Sequence, residues 1–107
     1  MTERTKLKSS NRWVVKIGSA LLTNDGQGLD VSRMQTWVKE MSTLIDDGVD
    51  LCLVSSGAIA VGLRALQIDR RPQELPKLQA VAAVGQMGLV QAWQSCFAAC
   101  GRETAQV

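Results

Sequence analysis

Two short apolar segments with an amphipathic helix between them constrain the fold of this chain most strongly. Residues 12–17 and 51–54 are largely apolar runs of strand length, as expected for strands buried on both faces. Between them, apolar side chains recur at helical spacing: Val31, Met34, Trp37, Val38, Met41, Leu44 and Ile45. A strand, a helix and a strand with short links predict a right-handed βαβ unit, and hence a parallel sheet with both faces covered.

Capping residues indicate where the first long helix begins and ends. Asp30 stands directly before the apolar pattern and is predicted to be the N-cap, because its carboxylate can accept hydrogen bonds from the first free N–H groups. Gly48 follows the pattern and is predicted to be the C′ residue, where a positive φ is common. Residues 18–29 contain the turn-forming sequence Asn24-Asp25-Gly26 and are predicted to form a loop.

The second half of the chain is predicted to be mainly helical. One helix opens at Ser55-Ser56-Gly57 and runs to about Gln67. A longer helix has Pro76 in its first turn and runs to about Cys100. Residues 103–107 are then predicted to enter a third strand.

Two glycines lie inside that long helix, although glycine is a poor helix former. Gly85 and Gly88 each cost the helix about 1 kcal/mol relative to alanine. A gain in packing must offset this cost, so both glycines are predicted to permit the close approach of a neighbouring element.

The composition excludes several classes of site and partner. The 107 residues allow one domain at most, and a net charge of +2 is too small to indicate a nucleic-acid partner. The sequence has no histidine, which excludes histidine-based triads, an imidazole general base and most zinc sites. No apolar stretch reaches the length of a membrane span, so no membrane association is expected.

The cysteines and the N-terminus indicate a cytoplasmic protein. Cys52, Cys96 and Cys100 lack the CxxC spacing of a metal site, so we expect buried, reduced thiols and no metal ligand in this chain. Residues 1–8 are polar, which does not fit a signal peptide. Residues 1–11 are expected to form a flexible tail.

A lysine and a glycine near the end of the first strand form the first candidate site. Lys16 belongs to that strand, and an ammonium group on a strand buried on both faces needs an anion at the strand end. Gly18, followed by Ser19, lets backbone N–H groups approach a phosphate closely, since no Cβ stands in the way. The structural alternative is that Lys16 extends into solvent and Gly18 serves a turn.

A second loop, Ser55–Ala58, follows the second strand and forms the other candidate site. The carboxyl ends of parallel strands meet at one edge of the sheet, which is where open α/β sheets bind ligands. This loop also opens a helix, and a helix N-terminus offers free N–H donors to an anion. The structural alternative is that Ser55 or Ser56 is simply an N-cap.

Two familiar nucleotide-binding signatures are absent. The chain has no GxxxxGK motif followed by Ser or Thr, and its lysine precedes the glycine. No GxGxxG follows either strand, which disfavours a nicotinamide-dependent reductase. A serine hydrolase is also disfavoured, because no histidine can activate Ser55 or Ser56.

Three segments together resemble the glutamate 5-kinases, a branch of the amino-acid kinase family. They are Val14-Val15-Lys16-Ile17-Gly18-Ser19-Ala20-Leu21-Leu22-Thr23, Val54-Ser55-Ser56-Gly57-Ala58-Ile59-Ala60-Val61-Gly62 and Ala82-Ala83-Val84-Gly85-Gln86. The opening Lys-x-Gly is shared across the family, whereas the other two segments are more specific. The resemblance extends from Trp13 to Val107.

The resemblance implies roles for six residues. Lys16, the catalytic residue, would contact the phosphates of ATP and offset charge on the transferred group. Gly18 and Ser19 would donate backbone hydrogen bonds to the same phosphates. Ser56 would bind glutamate, with Gly57 and Ala58 lining that pocket.

The resemblance also implies a fold and a reaction. The fold is an α/β three-layer sandwich with a mainly parallel sheet, of which this chain carries the first βαβ units. Residues 1–107 would be the N-terminal, glutamate-binding part, whereas the ATP-binding part and a PUA domain would lie outside the chain. The reaction is phosphorylation of the glutamate γ-carboxylate by ATP with Mg²⁺, the first step of proline biosynthesis.

Family members are commonly homo-oligomers, and coupling to glutamate-5-semialdehyde dehydrogenase is a further expectation of the resemblance. Residues that complete the glutamate pocket, a second lysine and the adenine site are not found in this chain. We therefore expect the isolated chain to be inactive. The alternative hypothesis is a non-catalytic α/β module, derived from such a kinase, that binds an anion or regulates a partner.

Overall fold

The structure, a computed structural model, describes residues 11–107. Its elements are, in chain order, β1 (Arg12–Ile17), α1 (Ser19–Leu22), α2 (Val31–Asp46), β2 (Asp50–Ser55), α3 (Ala58–Ala65) and α4 (Leu75–Ala98). The tail predicted for residues 1–11 lies outside the described residues except for its last member, Asn11. The predicted α/β class is confirmed.

The predicted βαβ unit is present. β1 and β2 pair in parallel, and the chain between them contains α2. The register pairs Arg12 with Asp50 at one end and Ile17 with Ser55 at the other. Both strands therefore end at the same edge of the sheet, and the two candidate loops leave from that edge.

The predicted caps of α2 are confirmed at both ends. The Asp30 side chain accepts a hydrogen bond from the Arg33 N–H at 3.0 Å. At the other end Gly48 has a φ of 93°, and its N–H donates to Ile45 while the Val49 N–H donates to Leu44. This pair of bonds is a Schellman motif, which satisfies carbonyls that the end of the helix leaves free.

Only one face of the sheet is covered within residues 11–107, so the prediction of two covered faces was wrong for this part of the chain. Helices α2 and α4 share one core with that face, whose buried members are Ile17, Leu22, Met34, Val38, Met41, Leu89, Trp93, Cys96 and Phe97. On the opposite face Val14 is 71% exposed and Val54 is 44% exposed. The apolar runs predicted a layer there that the described residues do not supply.

The bounds of three predicted elements differ from the structure. Residues 18–29 are not entirely a loop, because they contain the single turn α1. The helix after β2 ends at Ala65 rather than at Gln67. Gln67 itself has a positive φ of 56°, which does not fit a right-handed helix. The long helix ends at Ala98 rather than Cys100.

The predicted third strand is not formed. Residues 103–107 have no helix or strand assignment, and they line an open cavity of about 810 Å³ together with residues of β2 and α4. A strand needs backbone hydrogen bonds to a neighbour, and within residues 11–107 no such bond joins this segment to β2. Arg102 holds the start of the segment to α2 through Ser42, at 2.7 Å between Nε and Oγ, and through Asp46.

Helices α3 and α4 cross with their backbones in contact. A Cβ built on Gly85 would overlap the carbonyl oxygen of Ala58 and lie 2.6 Å from the Gly62 nitrogen. A Cβ on Gly62 would likewise overlap the carbonyl of Val81. The close packing predicted for Gly85 is confirmed, whereas a Cβ on Gly88 would meet only Val61 Cγ1, at an ordinary 3.5 Å.

Candidate functional site

Two backbone loops meet at the carboxyl edge of the sheet. The first loop is Gly18-Ser19 and the second loop is Ser55–Ala58. The N–H of Ser56 donates to the carbonyl of Ile17 at 3.2 Å. The Ser56 hydroxyl also reaches that carbonyl, at 3.4 Å. The second loop is therefore attached to the end of β1 directly before the first loop.

Gly57 brings the two loops into contact and requires the absence of a side chain. Its φ is 107°, in the left-handed region that L residues with a Cβ rarely adopt. A Cβ at this position would lie 3.2 Å from Ser19 Cβ. Gly57 is also the N-cap of α3 and no side chain caps this helix, so the interpretation of Ser55 or Ser56 as an N-cap was wrong.

The first loop has free space beside Gly18, and hydrogen bonds to Thr23 hold its other residue, Ser19. Nothing lies within 4 Å of a Cβ built on Gly18, and its φ of −77° is accessible to any residue, so the space beside its backbone is free. The carbonyl of Ser19 accepts a 2.7 Å hydrogen bond from the buried Thr23 hydroxyl. That hydroxyl also accepts the Gly26 N–H at 3.1 Å, which links the first loop to the turn beyond it.

Lys16 lies on the open face of the sheet rather than on a strand buried on both faces. It pairs with Val54 in the register, and its side chain is exposed. Among residues 11–107 it forms no ion pair. Within the described residues Lys16 is therefore not buried, and the prediction that its burial requires an anion was wrong. The Lys16 ammonium group is carried on a flexible side chain near the sheet edge from which both loops leave.

The sequence reasoning missed a contact beneath the second loop. The indole Nε1–H of Trp93, on α4, donates to the hydroxyl of Ser55 at 3.1 Å. The Ser55 hydroxyl in turn lies 3.4 Å from the carbonyl of Ser56. A buried tryptophan usually donates its indole N–H to an acceptor, so the sequence could have predicted that Trp93 has such a partner. The partner could not be identified, because Ser55 lies 38 positions away.

The cysteines are free, but they are not all buried as predicted. Cys96 is buried, Cys100 is half-buried and Cys52 is exposed on the open face. Burial raises the pKa of the Cys96 thiol, and the neighbouring Cys100 raises it further. These thiols lie outside both loops and have no evident part in the site.

Residues 11–107 contain neither a cluster of metal-ligating side chains nor a membrane-spanning helix. No three histidine, cysteine, aspartate or glutamate side chains of this range come together as a metal site. Within the same range, no helix combines the length and apolar character needed to cross a membrane.

The parallel βαβ unit makes this an α/β protein. Its two loops lie at the carboxyl ends of the strands, which is where open α/β sheets bind ligands. Comparison with known families matches residues 11–107 to the amino acid kinase family. The chain belongs to this family.

Individual relatives carry a more specific name. The chain is 58% identical over 104 residues to the glutamate 5-kinase of Pseudomonas fluorescens (strain Pf0-1), which covers 97% of the chain and 28% of that relative. It is 56% identical over 104 residues to the glutamate 5-kinase of Stutzerimonas stutzeri (strain A1501) and 54% identical over 104 residues to that of Hahella chejuensis (strain KCTC 2396). The chain thus spans about 28% of the length of such relatives.

Proposed function

We propose that this chain is the N-terminal, glutamate-binding part of a glutamate 5-kinase. The observation that carries the proposal is the junction of the two loops, in which the Ser56 N–H bonds the Ile17 carbonyl at 3.2 Å and Gly57 packs on Ser19. Ser19, with a proposed phosphate role, lies next to Gly57, with a proposed glutamate role, and this neighbourhood supports the proposal. The likeness to named glutamate 5-kinases supports the choice of substrate.

In this proposal the first loop and Lys16 bind ATP. Gly18 and Ser19 offer backbone donors to the phosphates, and the open space beside Gly18 leaves room for them. Lys16 is the catalytic residue and offsets the charge on the transferred phosphoryl group. Its exposed side chain is free to turn toward that group.

The second loop binds glutamate. The Ser56 hydroxyl is the polar contact, and Gly57 and Ala58 line the pocket. The first N–H groups of α3 have no partner inside the helix, so they favour a carboxylate at this point.

The proposed reaction needs no general base. A γ-carboxylate oxygen of glutamate attacks the γ-phosphorus of ATP, the bond from that phosphorus to the bridging oxygen breaks, and ADP leaves with the electron pair. The carboxylate is already ionised near pH 7, so no proton has to be removed. Catalysis then depends on positioning and charge stabilisation, which is consistent with a chain without histidine.

The remaining parts of the proposal come from the family. No three histidine, cysteine, aspartate or glutamate side chains of residues 11–107 come together as a metal site, so none of these residues is proposed to hold Mg²⁺. We also propose a cytoplasmic homo-oligomer that works with glutamate-5-semialdehyde dehydrogenase, and we propose that the isolated chain does not turn over ATP.

The test uses the full-length protein that carries this segment, with ADP release and trapping of the acyl phosphate by hydroxylamine as readouts. Lys16→Ala should lower kcat by about 100-fold or more. Ser56→Ala should raise the KM for glutamate by about tenfold and leave the KM for ATP nearly unchanged. Lys39→Ala and Ser95→Ala, at exposed helix positions, are the matched controls.

Two results would contradict the proposal. Wild-type protein without glutamate-dependent ADP release would favour the non-catalytic module. An unchanged glutamate KM in Ser56→Ala would remove Ser56 from the pocket.

A further inference from the structure

We propose that Trp93 and Gly85 of α4 are positioning residues that hold the second loop in its binding conformation. The inference rests on the proposed function, because it assumes that this loop binds glutamate. Helix α4 contacts the loop at both ends, through Ser55 and Ala58. Ser56 and Gly57 lie between these two points.

The first contact is a hydrogen bond from Trp93 at the start of the loop. Trp93 is 7% exposed, and its Nε1–H donates to Ser55 Oγ at 3.1 Å. A hydroxyl has one hydrogen to donate, so accepting the indole N–H leaves it free to bond the carbonyl of Ser56, 3.4 Å away. The indole thereby fixes the rotamer of Ser55 and, through it, the peptide that follows Ser56.

The second contact is steric and lies at the end of the loop. Gly85 is buried, and its Cα faces the carbonyl of Ala58 so closely that a Cβ would overlap the oxygen. Ala58 is the first residue of α3 and directly follows Gly57. A side chain at position 85 must therefore displace the same backbone that Gly57 presses against Ser19.

Both contacts reach the loop from α4, which packs on the covered face of the sheet. Trp93 and Gly85 lie outside both loops, and neither is among the residues proposed to bind ATP or glutamate. Substrate geometry is sensitive to such support, because a displacement of about 1 Å can cost about 100-fold in rate. A hydrogen bond that only positions the loop should affect glutamate binding more than ATP binding.

The test compares Trp93→Phe, Ser55→Ala, the double variant and Ser55→Thr in the full-length protein. Trp93→Phe removes the N–H and keeps a ring in the core, and Ser55→Ala removes the acceptor. Each should raise the KM for glutamate by about two- to tenfold with a nearly unchanged KM for ATP. The double variant should equal the single variants, because both delete the same bond. Ser55→Thr should restore the wild-type KM.

Trp37→Phe is the matched control, since Trp37 of α2 packs on the same core. It should leave the KM for glutamate unchanged. An unchanged KM in Trp93→Phe, or additive effects in the double variant, would overturn the proposal. If Trp93→Phe fails to fold, the comparison of Ser55→Ala with Ser55→Thr decides the question.

A second readout does not depend on activity. Amide hydrogen exchange of Ser56, which donates to Ile17, should be faster in Trp93→Phe than in the wild type, with α2 unchanged. Unchanged exchange at Ser56 would refute the positioning role even in an active enzyme. If exchange at Ser56 is faster in Trp93→Phe but the wild-type protein does not phosphorylate glutamate, the positioning role is supported and the proposed function is refuted.

Discussion

The crossing of α3 and α4 predicts opposite effects for the same substitution at two glycines of one helix. Gly85→Ala should destabilise the protein, whereas Gly88→Ala should stabilise it. Both positions are helical and lie three residues apart, so the gain in helix propensity is the same, about 1 kcal/mol in each case. What differs is the space that the new methyl group enters.

At position 85 the methyl group would overlap the Ala58 carbonyl and lie 2.6 Å from the Gly62 nitrogen. Both distances are far shorter than an ordinary van der Waals contact of about 3.4–4 Å, so α3 would have to move away from α4. Overpacking of this kind costs about 1–3 kcal/mol, more than the propensity gain in most of that range. At position 88 the methyl group meets only Val61 Cγ1 at 3.5 Å, which is a normal contact.

The assay is urea unfolding of the full-length protein and its two variants, followed by circular dichroism and tryptophan fluorescence. We expect a midpoint lower than wild type for Gly85→Ala and higher than wild type for Gly88→Ala. A shift of the same sign in both variants would show that helix propensity or general packing, and not the backbone contact at Ala58, determines the response.

Three further predictions concern stability. Asp30→Ala should lower the free energy of unfolding by about 1 kcal/mol through loss of the α2 N-cap, and the exposed control Glu40→Ala should change it by less than about 0.5 kcal/mol. Burial, and then Cys100, raise the pKa of Cys96 in the folded protein, so the contribution of Cys96 to stability should be constant below about pH 8.5 and decrease above it. The free energy of unfolding should therefore decrease less steeply with pH in Cys96→Ala than in the wild type above about pH 8.5, and an equal decrease in both proteins, measured by urea unfolding, would refute this. Arg102→Ala removes the bonds to α2, so proteolysis within residues 103–107 should become faster while unfolding changes by no more than about 1 kcal/mol.

The caps of α2 and the parallel pairing of β1 with β2 were predicted correctly, whereas the N-cap of α3 and the single turn α1 were not. The Asp30 cap and the Gly48 termination depend on residues within a few positions, and the parallel pairing follows from the short links around α2. The predicted meeting of the loops is confirmed for the same reason, since parallel register alone brings Ile17 opposite Ser55.

Features that depend on distant packing were missed. The apolar runs predicted layers on both faces of the sheet, but α2 and α4 lie on one face, and no local pattern shows where α4 packs. The bond from Trp93 to Ser55 and the difference between Gly85 and Gly88 likewise depend on where α4 crosses. The roles of Lys16, Gly18, Ser19, Ser56, Gly57 and Ala58 remain predictions, because geometry alone does not identify a ligand.

The attachment of the second loop to Ile17 has a consequence for changes of specificity. The Ser56 N–H makes the 3.2 Å bond, and any residue except proline supplies that group. The Ser56 hydroxyl adds a longer contact of 3.4 Å to the same carbonyl, so a change of side chain at position 56 removes that contact and keeps the backbone bond. If Ser56 binds glutamate as proposed, a library of substitutions at this position should vary ligand preference while the backbone bond to Ile17 is retained.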